Sequence, residues 1–209
     1  MPSTPRTTRL RKPPEERREE IVAAAAEIAL DSGLERITLR AVANRLGVRP
    51  GLITHYFPAA EDLVVEAFTR AASIQRERFF PPGDGSPVER LAHFIDYIRQ
   101  GLSFPLARLW LNARHLSQFS SALETALQEQ DALDRARLRA LIESGIATGS
   151  FLDVDAEAAA IRILIVVDGR GSYVNSTADL SHPAYEYAVA DIAEWTLGLP
   201  PGALGGAGR

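Results

Sequence analysis

The chain has 209 residues, of which 46% are hydrophobic and 24% are charged, and this composition is typical of a globular protein rather than a disordered one. It contains no cysteine, which excludes disulfides, iron–sulfur clusters and zinc sites built from thiolates. The longest apolar run, at 161–167, contains Arg162 and ends at Asp168, so it falls short of the roughly 18 apolar residues that span a bilayer. The N-terminal residues lack the apolar stretch of a secretory signal peptide. We therefore expect a cytoplasmic protein.

The net charge of −4 is unevenly distributed. Residues 1–60 carry ten Lys and Arg against seven Asp and Glu, whereas residues 61–209 carry thirteen against twenty. The two parts therefore have balances of +3 and −7, which add to −4. A positive end on an acidic protein indicates an anionic partner at that end, although a basic tail that serves solubility would give the same balance.

The first predicted helix follows a basic arm. Residues 1–14 hold four prolines and four basic residues, which predicts a disordered segment. A helix then begins at the acidic residues Glu15 and Glu16, whose charges suit the positive end of the helix dipole. Apolar residues recur on one face of this helix as far as Gly33, which ends it.

Two shorter helices with clear end signals come next. The stretch 37–47 predicts a helix that Thr38 caps and Gly47 ends. The stretch 49–57 predicts another helix, in which Pro50 is tolerated because it lies in the first turn.

The rest of the chain also has helical periodicity, and no long segment alternates as a strand would. The further predicted helices are 59–80, 88–102, 105–118, 121–149, 155–174 and 182–199. We therefore predict an all-α protein of about nine helices. Its expected parts are a basic arm (1–14), a helix-turn-helix domain (15–60), a helical effector-binding and dimerisation domain (61–200) and a flexible tail (201–209).

The stretch TLRAVANRLGVRPGLITHYF, residues 38–57, has the plan of a helix-turn-helix, because a tight turn with glycine joins two short helices. Gly47 can adopt the positive φ that such a turn requires. The second helix begins with small, uncharged residues, so its N-terminus can enter the major groove of DNA. Arginine can reach guanine edges or phosphates, and hydroxyl, imidazole and phenol groups can bond bases or phosphate oxygens. The candidate DNA contacts are Thr38, Arg40, Arg49, Pro50, Gly51, Leu52, Thr54, His55 and Tyr56.

Simpler interpretations exist for the same residues. Arg36, Arg40 and Arg45 together are also compatible with a solvated helix face that binds nothing. His55 and Tyr56 are also compatible with ordinary packing.

The pattern A-x-R-L-G-V at 43–48, followed by G-x-I-x-x-Y-F at 51–57 and by EDL at 61–63, resembles the DNA-binding domain of TetR-family transcriptional regulators. The resemblance covers roughly residues 15–70. It implies a homodimer that places the third helix of each subunit in a major groove of a palindromic operator. It also implies a helical C-terminal domain that binds a small effector and dimerises through helices eight and nine.

Roles carried over from this resemblance are specific to single positions. Thr38 resembles the family's phosphate-contacting cap, Arg40 occupies a position that often touches a base or a phosphate, and Tyr56 resembles the phosphate-binding aromatic residue. The reading surface corresponds to Pro50, Gly51, Leu52, Thr54 and His55. Ala60 departs from the family, because a phosphate-binding lysine is common there.

We expect the basic arm, together with Arg17 or Arg18, to replace part of the contact that the missing lysine at Ala60 would make. A second departure is Thr54, where many members of the family have a tyrosine.

The C-terminal part resembles the choline/betaine-regulator type in outline, through Gly149, Phe151 and the pair Asp168-Gly169. Ligand pockets are mostly apolar with a few convergent polar groups. The candidate ligand contacts, chosen as polar or aromatic residues on otherwise apolar helices, are His93, Tyr97, Trp110, His115 and Tyr173. An exposed histidine or a plain core aromatic is the simpler interpretation of each.

The dimer is expected to form through apolar stripes on the last two helices, which would make a four-helix bundle with those of the second subunit. The stripes consist of Ala158, Ile161 and Ile165 on the eighth helix and of Tyr185, Ala188, Ile192 and Trp195 on the ninth.

No motif of an enzyme, a metal site or a cofactor site is recognisable, so we expect no enzyme, no metal and no cofactor. We predict a ligand-responsive transcriptional regulator that acts as a repressor. A hydrophobic or amphipathic small molecule is expected to release it from double-stranded operator DNA. The alternative is a helical small-molecule-binding or interaction module that has lost specific DNA binding, which the missing lysine at Ala60 would suit.

Overall fold

The computed structural model describes residues 13–100, 104–174 and 181–205. Within these ranges the chain forms nine α-helices, two single-turn 3₁₀ helices and no strand, so the prediction of an all-α protein is confirmed. The helices are α1 (Pro14–Ser32), α2 (Leu39–Leu46), α3 (Pro50–Tyr56), α4 (Ala60–Phe79), α5 (Pro87–Arg99), α6 (Phe104–Leu116), α7 (Ser121–Ala147), α8 (Ala156–Val174) and α9 (Pro183–Leu197).

The predicted end signals of α2 are used as expected. The Thr38 hydroxyl accepts a hydrogen bond from the backbone N–H of Ala41 at 3.0 Å, which satisfies one donor of the first turn. Gly47 adopts a left-handed conformation with φ 63° and ψ 36°, and this turn ends the helix.

A first core joins α1, α2, α3, α4, α6 and the start of α7. Phe57 is 2% exposed, and Val42 and Ile53 are fully buried between the two short helices. Leu63 and Phe68 of α4 belong to the same core. The long helix α4 is therefore continuous with the packing of the N-terminal helices.

A second core lies among α5, α7, α8 and α9. Phe79 and Phe80, at the end of α4, pack into it against Phe94 of α5. Helix α4 and the residue that follows it therefore contribute to both cores.

The expected arm at 1–12 and the last residues, 206–209, lie outside the described residues. The expected flexible tail is wrong at 201–205, where the chain forms turns and Leu204 is 1% exposed. The buried Glu194 carboxylate accepts hydrogen bonds at 2.9 Å from the backbone N–H groups of Gly202 and Leu204. These bonds compensate the donors of the turn and hold it against the second core.

Of the helices in the described ranges, none has both the length and the apolarity needed to cross a bilayer.

Candidate DNA-contacting surface and ligand cavity

The turn between α2 and α3 sets the position of α3. The N–H of Val48 donates to the carbonyl of Ala43 at 3.0 Å, across the left-handed Gly47. Ile53 and Phe57 anchor the inner side of α3 in the core. The opposite side of α3 therefore faces away from the protein.

All nine candidate DNA contacts lie at the surface of α2, α3 and their connections, and each is exposed or half-buried. The two half-buried ones are Leu52 and Tyr56, and Tyr56 also packs against the first core. His55 is exposed, and its ring lies edge-on to Tyr56 with centroids 5.2 Å apart. The packing interpretation therefore fits part of Tyr56 but not His55.

The arginines of this region differ in their partners. Arg45 donates to Asp31 at 2.8 Å and to Glu27 at 3.2 Å, so it ties α2 to α1, and its hydrogen bond to Asp31 raises its pKa. Arg40 and Arg49 are exposed and have no hydrogen bond or ion pair with any residue that the structure describes. Two of the predicted contacts thus carry positive charges that the protein itself does not use.

Gly51 lies in the first turn of α3, where its backbone is helical. A Cβ at this position would meet nothing within 4 Å, so neither backbone conformation nor internal packing requires glycine. Glycine in a helix costs about 0.5–1 kcal/mol relative to alanine. The space beside Gly51 at the start of α3 is therefore not filled by other atoms of the protein.

The departure at Ala60 is visible at the start of α4. Ala59 caps this helix without any side-chain hydrogen bond, and Ala60 is its first residue. Arg17 is ion-paired with Glu20 at 2.5 Å.

Arg18 is ion-paired with Glu66, and its guanidinium carbon lies 4.9 Å from the ring centre of Phe57. Both arginines thus have partners within the protein, and the expectation that Arg17 or Arg18 replaces the missing lysine stays a prediction, as does the role of the arm, which lies outside the described residues.

A cavity of about 430 Å³ opens between α4, α5, α6, α7 and α8. Its wall is largely aromatic and aliphatic, and it also carries three carboxylates and two guanidinium groups. Its lining residues include Gln75, Phe79, Phe80, Phe94, Trp110, Arg114, Asp131, Asp134, Asp168 and Arg170.

Of the five candidate ligand contacts, Trp110 lies on the wall of this cavity and the other four do not. His93 is exposed, and its Nε2 lies 2.9 Å from the carbonyl oxygen of Arg78. His115 is exposed beside Phe119, with ring centroids 5.7 Å apart.

The remaining two candidates are aromatic. Tyr97 lies edge-on to Phe79 at 5.2 Å between the two cores. Tyr173 is half-exposed and lies against Tyr185 at 5.2 Å. The five residues therefore do not form one cluster.

Two arginines hold the carboxylates of the cavity. Arg114 bonds both oxygens of Asp131, at 3.0 and 3.1 Å, and one oxygen of Asp168 at 2.7 Å. Arg76, which is 6% exposed, bonds Asp134 at 2.5 Å and the side chain of Gln130 at 2.7 Å.

Burial governs the ionisation of these carboxylates. Desolvation raises the pKa of Asp134 to about 6, although Arg76 acts in the opposite direction. Desolvation also raises the pKa of Asp168, against the attraction of Arg114. The neighbouring Asp131 raises both values further. Burial and the neighbouring Asp131 therefore both disfavour the ionised forms of Asp134 and Asp168.

The other guanidinium group on the wall belongs to Arg170, and it bonds only backbone oxygens. It donates to the carbonyls of Ile98 at 3.0 Å, Tyr185 at 3.3 Å and Arg99 at 3.4 Å. Burial lowers the pKa of Arg170.

Helix α4 connects the two candidate sites. The indole N–H of Trp110 donates to the side-chain oxygen of Gln75 at 3.0 Å, and the next residue, Arg76, pairs with Asp134. Both side chains are buried on α4, whose other end follows α3 directly. Neither Gln75 nor Arg76 was predicted, since a polar residue on a helix does not by itself signal a buried partner on another helix.

No group of three or more His, Asp or Glu side chains arranged for a metal ion occurs within the described residues.

An apolar face on α8 and α9 is uncovered in the monomer. Ile161, Ile165 and Trp195 are 39%, 65% and 71% exposed, although they are large and apolar. Ala158, Tyr185, Ala188 and Ile192 are half-buried. An exposed set of this kind marks an interaction surface more often than a bare solvent face.

Comparison of the sequence with known proteins finds matches over part of the chain. The model of the family described as bacterial regulatory proteins, tetR family, matches residues 21–67. The HTH-type transcriptional repressor KstR of Rhodococcus jostii (strain RHA1) is 28% identical over 122 residues, which are 58% of this chain and 58% of that relative. The chain therefore spans less than two thirds of the length of this curated relative.

Solved structures match over most of the chain. A TetR transcription regulator from Haloarcula marismortui ATCC 43049 has a TM-score of 0.74 and 20% identity, and the match covers 88% of this chain and 97% of that one. A transcriptional regulator from Saccharomonospora viridis, solved in complex with choline, has a TM-score of 0.72 and 20% identity, with 86% and 96% coverage. At this identity the likeness shows a shared fold.

Proposed function

We propose that the chain, whose residues 21–67 match the model of the tetR family of bacterial regulatory proteins, is a ligand-responsive transcriptional regulator that binds operator DNA. The observation that carries the proposal is the unpaired charge of Arg40 and Arg49 beside the open start of α3. Phosphates neutralise such charges, and a helix N-terminus without bulk fits into the major groove. The proposed location is the cytoplasm, where the DNA partner is.

The DNA contacts are proposed as the nine surface residues described above. Arg40, Arg49 and Thr38 would hold the phosphates, and the residues of α3 would face the base edges. The arm at 1–12 would add phosphate contacts in place of the lysine absent at Ala60.

Binding to DNA from the protein's own upstream region, measured against random DNA by mobility shift at several salt concentrations, tests this proposal. We expect selective binding whose affinity falls steeply with salt. Removing residues 1–12 should weaken binding and reduce the salt slope. Equal affinity of the folded protein for both DNAs would contradict the regulator. It would favour the alternative, a helical binding module without specific DNA recognition, which the absence of a lysine at Ala60 supports.

We propose a homodimer that forms through α8 and α9, because their exposed apolar side chains need a partner surface. Ile165→Asp should dissociate the dimer, and Leu133→Asp is the matched control, since Leu133 is an exposed apolar residue of α7. Sedimentation equilibrium distinguishes the two variants. A dimer that survives Ile165→Asp would contradict this interface.

The effector is proposed to bind in the cavity and to act on DNA through α4. Support comes from Gln75 and Arg76, which connect the cavity wall to the helix that follows α3. A shift of α4 in each subunit would change the separation of the two reading helices from the about 34–36 Å that consecutive major grooves require. The choline complex of a protein with this fold supports a small-molecule site of this kind.

A further inference from the structure

We infer that the cavity takes an uncharged molecule with an apolar body and a carbonyl oxygen, and that the side-chain amide of Gln75 donates a hydrogen bond to this oxygen. The inference rests on the proposed function, because it takes the cavity to be the effector site. Its basis is a buried amide donor without a partner, on a wall whose charges are balanced.

The side chain of Gln75 has a fixed orientation. It is 5% exposed, and its Oε1 accepts a hydrogen bond from the indole N–H of Trp110 at 3.0 Å. An indole nitrogen is only a donor, so the atom of Gln75 that faces it must be the amide oxygen. The Trp110 ring is itself held edge-on to Phe68, with centroids 5.2 Å apart. The amide NH₂ group of Gln75 therefore points away from Trp110.

This NH₂ group has no hydrogen-bond acceptor among the residues that the structure describes. It is not shut off from open space, because the fully buried polar side-chain atoms without a partner, within the described ranges, belong to Arg108 and Asn112. Since Gln75 lies on the cavity wall, the cavity is the space that its amide hydrogens face. A buried donor without an acceptor is unfavourable, and a ligand oxygen would relieve it.

The ionised groups at the wall and directly behind it balance. They are three carboxylates and three guanidinium groups, namely those of Asp131, Asp134, Asp168, Arg76, Arg114 and Arg170. Arg76 and Arg114 are ion-paired with the carboxylates, and the three side-chain nitrogens of Arg170 bond backbone carbonyls. A ligand ion of either sign would bring an uncompensated charge into a partly desolvated space.

The two kinds of ion fail for further reasons. An ammonium group has no acceptor to offer to Gln75. A carboxylate would accept from Gln75, but it would share the cavity with three like charges whose cationic partners are engaged. A carbonyl oxygen accepts the bond without adding a charge.

The apolar part of the wall lies beside this donor. Phe79 follows Gln75 by one turn on the same face of α4, and Phe80 and Phe94 also line the cavity. A ligand whose oxygen bonds Gln75 therefore places its apolar body on these rings. The volume of about 430 Å³ lies within the range of small-molecule sites. Because Gln75 belongs to α4, such a ligand would bond directly to the helix that follows α3.

Three probes of similar shape test the preference for an uncharged ligand: acetophenone, benzoate and phenyltrimethylammonium. The chain has two tryptophans, so its NMR spectrum contains two indole N–H signals, and Trp195→Phe identifies the signal of Trp110. The movement of this signal during a titration of the full-length protein gives the affinity of each probe. We expect acetophenone to bind at least about tenfold more tightly than either ion.

A fourth probe, α-methylstyrene, has the shape of acetophenone with a methylene group in place of the oxygen. In Gln75→Met, which removes the amide from a side chain of similar length, acetophenone should weaken by about fivefold relative to α-methylstyrene. A purely structural change of the cavity would weaken both probes alike. The matched control Gln128→Met, an exposed change on α7 outside the cavity, should alter neither affinity. Circular dichroism and thermal unfolding verify that both variants fold.

If Gln75→Met does not fold, the side-chain amide signals of Gln75 in the parent protein decide. Their nuclear Overhauser effect to the indole proton of Trp110 identifies them. Acetophenone should move one amide proton signal downfield, as a new hydrogen bond does, and α-methylstyrene should not.

Equal or tighter binding of either ion would overturn the inference. So would an equal loss for acetophenone and α-methylstyrene in Gln75→Met, or an amide signal that does not move. Absence of acetophenone binding up to about 20 mM would also overturn it. Mobility shifts without any probe keep the two proposals separate. Selective DNA binding without acetophenone binding refutes the ligand class alone, and acetophenone binding without selective DNA binding refutes the regulator alone.

Discussion

The surface of α2 and α3 and the cavity among α4–α8 are both rich in charge, but they use it in opposite ways. At the surface, Arg40 and Arg49 point into solvent and have no partner among the described residues. In the cavity, Arg76 and Arg114 are held by carboxylates of other helices. Charges without internal partners are available to an external polyanion, whereas charges with buried partners are part of the fold.

The largest expected change in stability is that of Arg76→Ala. Removal of one partner of a buried ion pair leaves Asp134 uncompensated and should lower the free energy of unfolding by about 3–5 kcal/mol. Arg78→Ala, on the exposed side of the same helix, should cost about 0.5 kcal/mol or less. Urea unfolding at one fixed protein concentration measures both, and equal losses would contradict the structural role of the buried ion pair.

For the surface arginines we expect a loss of DNA affinity without a loss of stability. Arg49→Glu places a negative charge beside the DNA backbone and should weaken operator binding by about 100-fold or more. The thermal unfolding temperature should stay close to that of the parent, because Arg49 has no internal partner. Arg137→Glu, an exposed change on α7, serves as the control and should leave DNA affinity unaltered. A large loss of stability in Arg49→Glu would contradict the distinction.

Asp134 should produce a pH dependence of stability. Its pKa of about 6 in the folded state lies above the ordinary value of 3.8, so the folded state binds the proton more tightly. The contribution of Asp134 to stability is therefore greatest below pH 3.8 and is lost as the pH rises through 6.

Asp134→Asn removes this titration. Between pH 5 and pH 7 the free energy of unfolding of the parent, minus that of Asp134→Asn, should fall by about 1 kcal/mol. Urea unfolding of both proteins at the two pH values measures the difference. A difference that stays constant or rises would show that Asp134 is ionised throughout this range.

The smallest expected effect is that of Gly51→Ala. Since a Cβ there meets nothing within 4 Å, the change should stabilise the protein by up to about 1 kcal/mol while it fills space at the DNA surface. Gly145→Ala is the opposite case, because its Cβ would lie 2.0 Å from the Phe151 ring. Thermal unfolding should therefore shift in opposite directions for the two variants. A loss of stability in Gly51→Ala would mean that the protein itself requires this glycine.

Helix ends were predictable from the amino-acid sequence, because they depend on neighbouring residues along the chain. Thr38, Gly47 and Pro50 specify the ends of α2 and α3 through caps and φ preferences that act within a few residues. For this reason the order of the helices was predictable throughout.

Which residues meet in the cavity was not predictable from the sequence, because it depends on how the helices pack in three dimensions. Arg76 and Asp134 are 58 positions apart, and no local pattern tells which face of α4 turns toward α7. His93, His115 and Trp110 are alike as polar or aromatic residues on apolar helices, but only Trp110 reaches the cavity wall. The rotation of each helix about its axis is set by packing against several others, and this rotation assigns a side chain to the cavity, the core or the solvent.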